Sequence, residues 1–280
     1  MELFFQERQA ARSWAELYVS YASKASPAWR EHLRNSGHPE NFAHAFDLYG
    51  RFYASAREGA KKAAAQAPAI DAALTTFRVL YPSPEVPVTI GMSRAYSAGR
   101  ADGRRVYLAA EMFAAGQGIE TGELPGWIRG LMSRPEEIVA AAVHEAVHLF
   151  QPPVTDPVLL VACLREGAPS FVAELVTGRV PSPELHAWCG PRSKVLFGRF
   201  ARQVGSTSYE AWLGNAASQR GAEPPDVGYW IGYEIVRDYY SRAPDKRSAL
   251  ADIVEMRDPR SLVRASRYRW LLGQGGRGRR

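Results

Sequence analysis

The stretch "SRPEEIVAAAVHEAVHLFQPP", residues 133–153, constrains the fold of this chain more than any other. Ser133, then Pro135 and Glu136, has the form of a helix start with a capping box, and Pro152 and Pro153 forbid continuation. These signals predict one helix over about 134–151. Ala142, Val143, Ala146, Val147, Leu149 and Phe150 carry no charge, so the helix is expected to be buried beneath a cleft. Residues four apart on a helix share a face, one turn apart, which lets His144 and His148 aim two imidazoles at one point with Glu145 beside it. Imidazoles so placed can share a single cation; the competing reading is a pair of satisfied core histidines.

H-E-x-x-H on a helix is the zincin arrangement, in which the glutamate takes a proton from the attacking water rather than binding the ion. Catalytic zinc takes three protein ligands and keeps one position open, so a third ligand must come from elsewhere. The segment "TDPVLLVACLREGAPSFVAEL" predicts a second helix, started by Asp156 and Pro157, and offers Glu166 and Glu174. They stand about 12 Å apart along a continuous helix, too far to serve one ion. If the chain turns through residues 152–156 and returns, Glu166 is level with the histidines, whereas Glu174 overshoots. Glu166 is therefore the expected third ligand, with Glu174 in a supporting or structural place.

The remainder of the chain is read more coarsely. At 280 residues it can bury a core without disulfides or a structural metal. Cys163 and Cys189 lie in no paired-ligand spacing and read as structural thiols. No apolar run approaches the ~18 residues of a membrane span. The net charge of +6 is concentrated at the end, where "RASRYRWLLGQGGRGRR" holds six arginines, and no nucleic-acid-binding motif accompanies it, so no specific nucleic-acid partner is expected. The start "MELFFQERQAARSW" lacks the pattern of a secretory signal; the chain as given is expected to be cytoplasmic by default, an exported form after loss of a leader being the alternative. Residues 1–80 predict three or so helices, with His32, His38 and His44 in surface or capping places because spacings of six do not share a face. "VPVTIGM" and "RRVYLAAEMF" read as two strands of a small, mainly antiparallel sheet separated by the loop "SRAYSAGRADG", with Glu111 a solvated strand end or, less favoured, a binder of a substrate amine. The strand at about 105–110 is the expected edge for an extended peptide.

Together "YLAAEMF", "GELPGW", "VHEAVHLFQ", "REGAPSFVAELVTG" and "VGYWIGYEIVRDYY" resemble a bacterial family of predicted zinc-dependent proteases, gluzincins akin to the gliding-motility lipoprotein B group, over roughly residues 75–268. The resemblance implies zinc on His144, His148 and Glu166, Glu145 as general base, and relevance for the segment from Tyr229 to Arg237. Tyr229, Tyr233 and Arg237 recur every four residues, each with a donor at its tip, and are the expected oxyanion stabilisers; an aromatic core stripe, with Arg237 paired to an acid, is the competing reading. Where the family commonly has E-G-x-A-D, with the Asp available to orient a ligating histidine, this chain has Ala168, Pro169 and Ser170 in the last three positions. The expectation is an α+β, predominantly helical, zincin-like chain: an N-terminal helical region (1–80), a metallopeptidase domain (81–268) and a disordered Gly/Arg tail (269–280). Its expected activity is zinc-dependent cleavage of peptide bonds in a peptide or protein substrate. The alternatives are a metal-binding, catalytically weak partner-binding protein and a zinc hydrolase of a non-peptide amide. Oligomeric state is not legible.

Overall fold

Arg105–Ala109 is a five-residue strand with Val106, Tyr107 and Leu108 buried, and apolar β-branched and aromatic residues of this kind favour a strand that is covered on both sides. In the computed structural model, which describes residues 1–219 and 221–273, it is the central strand of a three-stranded sheet. Strand β1 (Val88–Gly91) pairs with it in parallel and β2 (Gly99–Asp102) antiparallel; the central strand, third in sequence, is β3. The sheet is thus mixed, not mainly antiparallel. β2 lies inside the stretch expected to be a loop: its sequence "GRAD" has no period-two pattern, and its pairing comes from the tight two-residue turn, Gly103–Arg104, that follows it, with Gly103 at a positive φ.

Seven short helices, rather than three, precede the sheet: α1 (Glu2–Ala10), α2 (Trp14–Lys24), α3 (Pro27–Asn35), α4 (Pro39–Leu48), α5 (Gly50–Ser55), α6 (Arg57–Ala64) and α7 (Ala67–Leu80). Ser13 and Ser26 cap α2 and α3 by accepting from the amides of Glu16 and Trp29, and prolines open α3 and α4, which divides the segment finely. Phe4, Tyr21, Phe46 and Tyr53 meet edge to face at the centre of this bundle. His38 stands at the N-cap of α4 without a side-chain cap bond. His32 departs from the expected surface place: it is buried, stacked 4.7 Å from Tyr107 and 4.6 Å from Trp29, because α3 packs on β1 and its neighbour β3.

After β3 come α8 (Gly126–Leu131) and α9 (Ile138–His148). α10 (Leu159–Thr177), α11 (Pro183–Cys189), α12 (Ser193–Ala201), α13 (Val227–Arg242), α14 (Lys246–Glu255) and α15 (Pro259–Ala265) complete the helices. By contacts the described residues form two compact units, one of Met1–Leu74 with Glu85–Glu145 and one of Thr75–Pro84 with the described residues after Glu145. Arg269–Gly273, expected to begin a disordered tail, form a 3-10 turn with Leu271 buried; the rest of that tail lies outside the described residues. Both cysteines are buried free thiols, and no helix among the described residues is long and apolar enough to cross a membrane.

Within the second unit α10 and α13 run in the same direction at very close range. A Cβ on Gly232 would stand 1.8 Å from the Cys163 carbonyl oxygen, and one on Gly167 2.0 Å from the Tyr233 amide nitrogen. Only glycines let the two backbones approach so far. Gly198 on α12 has nothing within 4 Å of its virtual Cβ. Gly232→Ala is accordingly expected to cost about 3 kcal/mol or more in urea unfolding. Gly198→Ala should be neutral or gain up to about 1 kcal/mol.

Candidate metal centre

α9 begins differently from its sequence signals. Ser133 does not cap: its amide donates to the Met112 carbonyl (2.8 Å) and its carbonyl accepts from Ala115 (3.0 Å), and a 3-10 turn, Pro135–Glu137, leads into the helix. The helix nevertheless runs unbroken through both histidines, with Ala142, Val143, Ala146 and Val147 buried and Leu149 and Phe150 half-buried. At its end the amides of Leu149, Phe150 and Gln151 each bond three residues back, a tightened last turn ahead of Pro152. The start of α10 likewise replaces the expected cap. Its first amides, Leu159 and Leu160, donate to the carbonyls of Ser206 and Val204, while the Asp156 carboxylate accepts from Arg260 (2.7 Å).

His144, His148 and Glu166, all half-buried, each offer one ligand atom, and these atoms lie within 4.8 Å of one another. His148 Nε2 faces a Glu166 carboxylate oxygen at 3.5 Å. The Nδ1 atom of the same ring lies 2.9 Å from the amide oxygen of Gln151, which can only accept, so the proton of the neutral ring sits on Nδ1 and the lone pair on Nε2. On the neutral ring that lone pair faces a carboxylate, an approach that becomes attractive when a cation, a metal ion or the ring's own second proton, stands between them. Two ligand atoms about 2.1 Å from a tetrahedral ion are roughly 3.4 Å apart, so the observed pair has the separation such an ion requires. The three residues can therefore hold a metal ion. Glu145 points toward the sheet: a Cβ on Gly99, at the start of β2, would lie 2.8 Å from its Cγ and 2.9 Å from Oε1. A side chain at residue 99 would oblige the Glu145 side chain to shift.

The other sequence-predicted residues have partners of their own. The Tyr233 hydroxyl, on a side chain 1% exposed, donates to Glu174, and burial with this carboxylate holds its pKa above the usual tyrosine range. Arg237 pairs with Glu234 at 2.8 Å and lies over the Tyr233 ring. Glu174 thus anchors α13 to α10, two turns beyond Glu166. Tyr229 is half-buried in the first turn of α13, and Asp226, the residue that precedes this helix, lies close enough to feel the Glu166 charge. Burial, and after it Glu166, raises the pKa of Asp226, against the amides of Gly214 and Asn215. Asp226 and Gln151 escaped the sequence reading; the only signals were a polar residue ahead of an aromatic helix and an amide three residues after His148.

β3 cannot present an edge, since both its sides are paired; β2 can. The Ala109 amide bonds the Ala98 carbonyl, so by antiparallel alternation the amide of Ala101 points away from β3. Glu111 is neither solvated nor available to a substrate amine. It is fully buried and accepts from the amides of Ser93 and Ala95 at 3.0–3.1 Å, tying down the segment between β1 and β2.

Comparison of the chain with protein families, with curated proteins and with solved structures finds no match.

Burial pushes the Glu111 carboxyl up to about 7, against its amide donors, from 4.5 in the open chain. Between those values the folded state holds a proton that the unfolded state has lost, so stability falls as pH rises from about 4.5 to about 7. The wild-type minus Glu111→Gln difference in unfolding free energy should drop by on the order of 3 kcal/mol across that window and be flat above it.

Proposed function

We propose that this chain is a zinc-dependent peptide-bond hydrolase with a zincin-like arrangement, of the gluzincin kind that its motifs resemble. The observation that carries the reading is the Nε2 of His148 turned toward the Glu166 carboxylate at 3.5 Å, with His144 one turn earlier on the same helix. Two imidazoles and one carboxylate are the three-residue donor set of a catalytic zinc site, where a structural site takes four protein ligands. When bound there, zinc supplies Lewis acidity, polarising a carbonyl and making water a nucleophile near neutral pH.

The chain's own residues divide the remaining work. Glu145, adjacent in sequence to His144 and outside the ligand set, accepts a proton from the attacking water and returns it to the leaving amine. An extended peptide adds to the free edge of β2, whose first residue lies against Glu145, so that main-chain hydrogen bonds hold the scissile bond near that carboxylate. Tyr229, on the first turn of α13, is the protein donor assigned to the developing oxyanion; the Tyr233 hydroxyl is bonded to Glu174 and Arg237 is paired with Glu234. A second reading, metal binding with weak chemistry, is favoured by Ser170, whose hydroxyl donates to the Glu166 backbone carbonyl at 3.1 Å.

Purified protein should bind one equivalent of zinc by elemental analysis and cleave peptides from a fluorogenic library. Glu145→Gln should keep the zinc and lose turnover by roughly 10²- to 10⁴-fold. A zinc-free wild type ends the proposal, and an undiminished variant ends the role of Glu145. Ala101→Pro removes an amide that points away from β3, so it should raise KM several-fold with kcat held; the opposite split would place the substrate elsewhere.

A further inference from the structure

Pro169 lies inside α10, where a helical residue normally donates its amide to the carbonyl four residues back. Proline has no amide proton, and its ring crowds that carbonyl, here the one of Arg165. The Arg165 carbonyl instead accepts from Gln151 Nε2 at 2.9 Å. A carbonyl oxygen can only accept, so the nitrogen of the Gln151 amide must face it and the oxygen must face the other way. The other way is His148 Nδ1, at 2.9 Å. Each link fixes the next: the freed carbonyl sets the amide, the amide sets the imidazole proton on Nδ1, and the Nε2 lone pair is left toward Glu166. Arg165 strengthens the link by donating from Nη1 to the Pro152 carbonyl at 2.7 Å, which holds the chain next to Gln151 on α10. Gln151 is buried, so water competes little for either bond.

We infer that Gln151 and Pro169 form a positioning pair that locks His148 in the tautomer able to ligate a metal through Nε2, with Pro169 releasing the backbone carbonyl that orients the Gln151 amide. The metal consequence rests on the function proposed above; the tautomer does not. The pair supplies an orienting contact of the kind that the resemblance would assign to an Asp, in a chain that has Ser170 at that position.

The test uses the full chain and two readouts: zinc affinity by competition with a chromophoric chelator, and the ring-nitrogen NMR shifts of His148 in metal-free protein at a pH where the imidazole is neutral. The wild type should show the Nδ1–H tautomer. Gln151→Met should mix the tautomers and weaken zinc by 10- to 100-fold. Gln151→Glu, which keeps an acceptor for Nδ1–H, should hold the tautomer and bind zinc more tightly than Gln151→Met. Pro169→Ala returns an amide to the Arg165 carbonyl; in the Gln151→Met background it should raise the melting temperature without restoring zinc affinity. Unchanged tautomer and unchanged zinc affinity in both Gln151 variants overturn the pair and leave the metal reading intact. A wild type that binds no zinc, yet whose His148 tautomer depends on Gln151, supports the pair and overturns the metal reading.

Discussion

The backbone contact between α10 and α13 determines where everything else in the second unit can be. With Gly232 against the Cys163 carbonyl and Gly167 against the Tyr233 amide, the two helices touch backbone to backbone at these points, which leaves little freedom to slide. Glu166 is the residue next to Gly167, so backbone packing fixes the point from which its side chain starts. Tyr233 and Glu174 add a second clamp two turns on, which explains a buried tyrosine whose hydroxyl is bonded to a carboxylate. A rigid site costs least to organise when its supports are backbone atoms, because these bring no rotamers to freeze.

Electrostatics gives the cluster its sense. A cation standing between a neutral His148, protonated on Nδ1, and an ionised Glu166 turns their 3.5 Å approach from repulsive to attractive, and Asp226 brings another carboxyl close enough to feel the Glu166 charge. Interactions that repel in isolation are tolerated in folded proteins chiefly where a ligand makes them attractive, which is why such arrangements gather at functional sites.

Much of the centre could be read from sequence, and the reasons differ by residue. His144 and His148 needed only the helical repeat, and the repeat survived even though Ser133 proved not to be a cap. Glu166 rather than Glu174 lies beside the histidines, as rise per residue along one helix predicts, and α10 does continue through Pro169 as one helix. β2 was illegible, since "GRAD" is a poor strand on its own terms and exists through its pairing with β3. His32 and Glu111 were misplaced because both gain their partners from elements distant in sequence, a stacked Tyr107 in one case and the amides of Ser93 and Ala95 in the other. The stripe of Tyr229, Tyr233 and Arg237 was visible, but spacing along one helix carries no information about the acids that Tyr233 and Arg237 meet.

β2 is only four residues long, about 13 Å of extended chain. Under the function proposed here, a guest strand laid along it could share its ladder over a comparable span and no more. Discrimination among guests would then have to come from side-chain pockets beyond that short rung, and a partner offering only backbone would leave almost as readily as it arrived.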